Sequence, residues 1–311
     1  GAVLAQQGVE LAEVVVVDEG SSDGTAELLA SIADPRLRVV RHDSPVGLAG
    51  ARNAGLSCVR APWVAFCDDD DLWAPDKLAS QLEAVGAVPG ARWSCVTAVH
   101  IDEADRVVGF HDAPTTTEPL DALLARCVVP GGGSGVLVET RLLRELGGFD
   151  EDLSPVADWD LAIRLALAAP LAPVDRPLLG YRVWSASMSH DTGRMDRATV
   201  ALFANHRALA AVRRGPADEV VRARYRGRQG ARAGRRSAAA HFLRAAWTGG
   251  GGRDVVAAGL VAVAPRSFAG CQARRVPAPV RQEAEQWLRR VAAVTPGHRT
   301  DGRRQVVSGH G

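Results

Sequence analysis

Residues 64–78 read VAFCDDDDLWAPDKL, and four adjacent aspartates, Asp68 to Asp71, follow a short apolar run with strand character. Like charges this close repel one another. At a strand end they cannot all be buried unpaired, because each uncompensated ion costs several kcal/mol. A chain that keeps them needs open solvent around them or a cation among them. Mg2+ and Mn2+ take carboxylates together with phosphate oxygens, so the cluster favours a metal–nucleotide site. The plain alternative is a solvated acidic turn that caps the following helix.

The surrounding pattern favours the first reading. Residues 14–17 are four valines, the continuous apolar run of a fully buried parallel strand. A polar loop, DEGSSDGT, leads into the helical spacing of AELLASI, with Asp23 or Thr25 as its cap. RLRVVRH reads as a strand, GLAGARNAGLSCV as a helix, PWVAFCD as a strand and APDKLASQLEAV as a helix with Pro75 in its first turn. RWSCVTAVHID and RVVGFH form a strand pair with a turn near residues 103–105. Strands alternating with helices predict an α/β domain whose mixed, largely parallel sheet is flanked by helices. Ligands bind such sheets at the carboxyl ends of strands. Both Asp18-Glu19 and the four aspartates fall at those ends.

Further along, a glycine-rich stretch at 131–135 precedes a strand, a helix, a loop and a second helix, and PLLGYRVWSASMSH closes with a strand. After about residue 196 the chain becomes rich in Ala and Arg at helical spacing. The expected organisation is a catalytic domain over 1–195, a helical extension over 196–295 and a disordered polar tail over 296–311.

Composition excludes several classes. The net charge of the 311 residues is +1, so no global field attracts nucleic acid. The five cysteines are scattered and lack CxxC spacing, which argues for reduced thiols in a cytoplasmic setting and against a zinc site. No apolar run approaches the ~20 residues that span a bilayer. Lys77 is the only lysine, a bias expected of a GC-rich bacterial genome. The arginine-rich stretch VVRARYRGRQGARAGRRSAAAHFLRAAW lacks interleaved aromatics, so no nucleic-acid partner is expected. It reads as a helical bundle on the catalytic domain, or as a basic helix giving peripheral contact with anionic lipid.

VVVVDEGSSDGT, GLAGARNAG, VAFCDDDDLWAPDKL, GGFDEDL and ADWDLAIRLA occur in the order and spacing of family 2 glycosyltransferases, and roughly residues 3–190 resemble that family. The resemblance implies a GT-A fold and inverting transfer of a sugar from a UDP-, dTDP- or GDP-linked donor, assisted by Mn2+ or Mg2+. The acceptor would be a glycan, a lipid-linked sugar or a small molecule, as in bacterial glycan biosynthesis. It implies that Asp18 and Glu19 bind the nucleobase and ribose, although Glu19 stands where the family has Asp. Arg52 and Asn53 would lie against the nucleotide. Asp68 and Asp70 match the outer members of the DxD motif, with Asp70 the metal ligand, Asp68 a second one, and Asp68 or Asp69 facing the ribose. Asp71 is expected to start the next helix.

ADWD matches the family's EDWD, which makes Asp158 the catalytic base and puts Ala157 in place of a supporting Glu. Trp159 would pack under a sugar ring or the acceptor, or else serve as a core indole, and Asp160 would cap its helix. Gly132 would let the backbone approach the donor sugar, and His190 matches a place where some relatives add a metal or phosphate ligand. The family opens with a strand ending in a PTYN-like loop, and GAVLAQQGVE matches the helix after it, so the first strand is expected to be missing here. Two other functions fit the residues: a catalytically impaired binding or scaffolding protein descended from a transferase, and a nucleotidyltransferase on a similar fold.

Overall fold

The computed structural model describes residues 1–183, 192–209, 216–232, 234–265 and 276–294; His190 and the expected tail lie outside them. Strands β1 (Val14–Asp18) and β2 (Leu37–Arg41) pair in parallel as a two-stranded sheet. A six-stranded sheet has the order β3 (Trp63–Ala65), β7 (Val136–Glu139), β5 (Trp93–Ile101), β8 (Leu171–Arg182) and β4 (Leu72–Trp73), with β6 (Val107–His111) also paired to β5. Among the described residues, parallel pairing is confined to β1–β2 and β5–β8, and the remaining ladders are antiparallel. Only a long crossover makes neighbouring strands parallel. The short turn at 102–106 instead folds β6 straight back on β5.

Two expectations change with this topology. The acidic strand ends lie on different sheets, because Asp18 ends β1 while the four aspartates follow β3. The valines of β1 are half-buried, and Asp18 is the buried residue of that strand. A strand paired on one side only cannot bury both faces as a central parallel strand does.

Helices cover both faces of the larger sheet. One face presents Trp93, Cys95, Val136 and Val138 to α2 (Gly47–Cys58), α4 (Leu120–Leu123), α6 (Ala157–Ala168) and α7 (Thr192–Asn205), through Leu56, Leu123, Trp159, Ile163 and Leu202. The other presents Ala98, Ile101, Leu137 and Leu179 to α3 (Lys77–Ala87), the last helix (Ala278–Val294) and residues 1–11. The indole of Trp287 in that last helix donates to the Pro177 carbonyl at 2.6 Å. The first and last helices of the Ala/Arg-rich segment therefore belong to the layers of the sheet domain. Between them α8 (Pro216–Arg232), α9 (Ala239–Ala245) and α10 (Gly252–Val263) gather a small core of Ala231, Phe242, Ala258 and Val261. Among the described residues no helix is long and apolar enough to cross a membrane.

Helix α2 shows how local sequence positions the site. Its N-cap, Val46, offers no side-chain acceptor. Glu19, arriving from the loop after β1, accepts from the backbone N–H groups of Val46 and Gly47 at 2.6 and 2.8 Å. A carboxylate there satisfies orphan donors and suits the positive end of the helix dipole.

Lys77 opens α3 and is fully buried. Its Nζ donates to Gln81 Oε1 at 2.7 Å and lies 4.2 Å from the centre of the Trp73 ring. Gln81 Nε2 in turn donates to the Gly135 carbonyl at 3.1 Å. Burial disfavours the charged amine and lowers its pKa to about 7. Such a lysine binds fewer protons folded than unfolded between about 7 and its ordinary 10.5, so its contribution to stability rises with pH across that window. Lys77→Met removes this contribution. The gain in unfolding free energy from pH 7 to pH 10, read from denaturant melts, should shrink by on the order of 1 kcal/mol or more relative to wild type. An unchanged gain would show that the buried amine does not titrate there.

Candidate active site

The loop after β3 sorts its four aspartates into different environments. Asp68 is half-buried; its backbone N–H donates to Ser134 Oγ at 3.0 Å and its Oδ1 accepts from Arg52 Nη2 at 2.6 Å. Asp69 is exposed and Asp70 half-buried. The Asp70 carbonyl accepts from Arg182 Nε at 2.9 Å. Asp71 is buried and its Oδ1 accepts from the Arg182 backbone N–H at 3.0 Å. It does not start the next helix as expected, because α3 begins at Lys77 and Asp71 is tied to β8 instead. Burial raises its pKa to about 8, against the opposing pull of Ser134 and the Arg182 amide.

Asp158 sits in the first turn of α6, with Oδ1 accepting from the Trp159 backbone N–H at 2.8 Å. Burial raises its pKa, and the Arg52 charge acts against that rise. Arg52 thus serves two carboxylates from separate parts of the chain. Its guanidinium lies 5.3 Å from the Phe149 ring centre and against Gly133, where a Cβ would meet the guanidinium carbon at 2.7 Å. Gly132 is equally constrained. Its φ is +53°, and a Cβ there would lie 2.2 Å from Asp158 Oδ2. The glycine-rich stretch is a 3-10 turn (Gly132–Gly135) packed on the base candidate rather than an open loop.

Tyr181, near the end of β8, gathers the charges. Its hydroxyl is pushed above its ordinary pKa by burial first, then by Asp71, Asp158, Asp68 and Asp70. These carboxylates therefore face one region. Sequence reasoning missed Tyr181 and Arg182. Their signal was the GYR triplet at the end of the closing strand, opposite a loop with an excess of negative charge.

Several predicted site residues have structural duties. Asn53 donates to the Phe149 carbonyl and Glu151 Oε1, both at 2.9 Å, and accepts from the Phe149 N–H at 2.8 Å. Its amide clamps the GGFDED loop. Trp159 is a core indole, not a platform for a sugar. It is buried, donates to the Leu123 carbonyl at 2.7 Å and meets Phe203 and Tyr225 edge to face. Asp160 accepts from Arg164 and pairs with His206, each at 2.7 Å, which fastens α6 to α7. Asp18 accepts from the Ser21 N–H and pairs with Arg41, and both contacts hold its pKa down. Glu19 has one oxygen, Oε1, committed to α2. A groove of about 480 Å3 between Arg60, Glu139 and Arg144 lies at the amino end of β3, away from these carboxylates.

Comparison with known proteins agrees with this architecture. Residues 2–113 match the family Glycosyl transferase family 2. Succinoglycan biosynthesis protein ExoO of Rhizobium meliloti is 48% identical over 84 residues, 27% of this chain and 24% of that protein. An uncharacterized glycosyltransferase of Haemophilus influenzae is 25% identical over 203 residues, 63% of this chain and 67% of the other. The Escherichia coli glucosyltransferase WfaP is 33% identical over 70 residues, 22% of this chain and 28% of that protein. The chain thus spans about a quarter of the length of ExoO and of WfaP. Among solved structures, S. aureus TarS 1-349 in complex with UDP-GlcNAc superposes with a TM-score of 0.51 at 16% identity, covering 85% of this chain and 86% of the other. The mannosyltransferase PcManGT from Pyrobaculum calidifontis, in complex with GDP-Man and Mn2+, gives 0.50 at 21% identity over 96% and 76%. Residues 2–113 thus resemble the family Glycosyl transferase family 2, and the chain shares the GT-A fold of these neighbours.

Proposed function

We propose that this protein moves a glycosyl group from a nucleoside-diphosphate sugar to an acceptor hydroxyl, with inversion at the anomeric carbon. The observation that carries the reading is Arg52, which holds Asp68 at 2.6 Å and acts on Asp158 beneath Gly132. A donor-side acid and a general base thus share one cation. Relatives named as glycosyltransferases, and neighbours of the same fold holding UDP-GlcNAc and GDP-Man, support the donor class.

In this reading Asp158 accepts the proton of the acceptor hydroxyl as that oxygen attacks the anomeric carbon. Gly132 holds the backbone clear of the base, and Arg52 keeps Asp158 and Asp68 apart in charge and fixed in place. Among the described residues no three His, Cys, Asp or Glu side chains form a ready metal cage. That donor set does not fit an all-protein cation site. It fits a metal such as Mn2+ or Mg2+ that keeps water and donor phosphate oxygens and takes one or two carboxylates. Asp70 would hold it, with Asp68 second because Arg52 already claims one Asp68 oxygen. A metal bound there supplies Lewis-acid stabilisation of the departing diphosphate. Asp18 and Glu19 would face the nucleobase from the end of β1, with Glu19 Oε2 accepting an imide-like N–H of uracil, thymine or guanine.

The base reading is tested with Asp158→Asn, which keeps shape but accepts no proton at neutral pH. Transfer or donor hydrolysis, screened over UDP-, GDP- and dTDP-sugars with Mn2+, should fall by on the order of 10²-fold or more while donor affinity survives. A base works only when deprotonated, and the pKa of this one is raised. The acid limb of the wild-type rate profile should therefore lie above the ordinary aspartate value of 3.8 and vanish in the variant. A near wild-type rate in the variant removes Asp158 from the chemistry.

The metal reading is tested with Asp70→Ala. Calorimetric titration of the donor should lose its Mn2+ dependence while the thermal melt stays unchanged, because Asp70 lies in a loop outside the core. Retained Mn2+ dependence would reassign the ligand.

The nucleobase reading is tested by competition of free UDP, dTDP, GDP, CDP and ADP against a bound donor. Uridine, thymidine or guanosine diphosphate should compete, whereas cytidine and adenosine diphosphates leave the carboxylate without its donor. Equal competition by all five would show that Glu19 does not read the base.

A further inference from the structure

The helical hairpin of α9 and α10 presents a surface that the transferase reading does not use. On α10, Val256, Leu260 and Val263 recur at i, i+4 and i+7, the spacing of one helix face. All three are exposed, Val256 at 63% and Val263 at 75%, and Val255 beside them is exposed too. The opposite positions Ala258 and Val261 are already buried against the small core of the hairpin. The helix is therefore apolar on both sides, which a water-facing helix is not. Residues 255–265 contain no charged side chain. On α9 and the turn after it, Leu243 is exposed and Trp247, at i+4 from it, is exposed at 93%. Between Trp247 and α10 the chain is glycine-rich, and a Cβ at Gly249, Gly251 or Gly252 would meet nothing within 4 Å.

The charge around this surface has one sign. Arg236, Arg244 and Arg253 are exposed. The one acid of the hairpin, Asp254, is buried and held by Arg224, whose Nε and Nη2 both donate at 2.8 Å. Arg224 belongs to α8, so that helix spends a guanidinium on internal pairing while the hairpin shows only cations outward. We propose that the α9–α10 hairpin is a membrane-docking element that lies in the interface of a bilayer containing anionic lipid. Its aliphatic face enters the headgroup–acyl boundary, Trp247 sits at the polar edge, and the arginines meet lipid phosphates. At about 1.5 Å per residue the twelve residues of α10 cover roughly 18 Å, too short to span the ~30 Å hydrocarbon core, so the helix lies on the membrane and does not cross it. A second copy of this chain fits the surface less well, because a two-fold contact would set arginines against arginines with no exposed acid in the hairpin to meet them.

The test uses the full chain and needs no sugar donor, so it stands or falls apart from the transferase reading. Sedimentation with vesicles of phosphatidylcholine plus ~30% phosphatidylglycerol is compared with phosphatidylcholine alone, at low and high salt. Wild type should bind the anionic vesicles, more weakly as salt rises. Val256→Asp with Leu260→Asp replaces exposed side chains and should leave the thermal melt unchanged while reducing partitioning by about tenfold or more. Arg236→Gln with Arg253→Gln should lose the preference for anionic lipid. Brominated acyl chains should quench a fluorescence component that Trp247→Phe removes. The proposal is overturned if wild type fails to bind anionic vesicles, or if the double aspartate variant binds as wild type does. It is also overturned if sedimentation equilibrium without lipid shows a wild-type dimer that the aspartate variant dissolves.

Discussion

Negative charge is the constraint around which this site is built. Asp68, Asp69, Asp70, Asp71 and Asp158 are brought to one end of the sheet domain, where Arg52 pairs with Asp68 and Arg182 holds the Asp70 carbonyl. The structure resolves the repulsion one residue at a time. Asp68 is neutralised by Arg52. Asp71 is buried far enough that its proton is held to about pH 8, which removes it from the charge count over much of the physiological range. Asp69 is left in water. The metal role proposed above for Asp70 rests on its place in the motif. Arg182 makes the sorting durable. It ties the Asp70 carbonyl, the Asp71 carboxylate, the Asp102 carbonyl and Asp105 to the end of β8.

What the sequence disclosed follows from the range of the forces involved. The strands at 14–18, 37–41 and 93–101 and the helices at 47–58 and 157–168 were legible, because local periodicity and β-branched runs set them. Pairing partners were not, since they depend on contacts distant in sequence. Hence the split into two sheets and the antiparallel β3–β7–β5 run were missed. At the site, residue types with few structural uses stood out: a run of aspartates and a glycine turn offer little to a core. Residues with two uses were harder to read. Asn53 and Trp159 sit inside recognisable motifs, yet each spends its polar atoms on backbone. A motif marks where a residue must be, and only the packing says whether it faces the ligand or holds the loop that does. Glu19 belongs to the same class, since an acidic residue at a strand end is also a natural cap for the next helix.

The glycine turn links these parts mechanically. Gly131 has φ +64°, and a Cβ there would lie 2.1 Å from Leu179 Cδ2 of β8, as close as the one at Gly132 would lie to Asp158. Ser134 reaches Asp68 from the same turn, and the Gly135 carbonyl is held by Gln81, itself held by the buried Lys77. Three groups of the proposed chemistry therefore share one short segment, which touches strand β8, helix α3 and helix α6 at once. A buried amine is a costly way to hold an amide, since its desolvation is offset only in part by one hydrogen bond and the Trp73 ring. Its cost is intelligible if the orientation of Gln81 matters. With Nζ donating to Oε1, the Gln81 amide can present only its NH2 to Gly135, so the turn cannot flip away from the acids it supports. The lysine therefore fixes the geometry at Asp68 and Asp158 without touching either, and the rigidity of the site rests on the interior of α3 as much as on the carboxylates themselves.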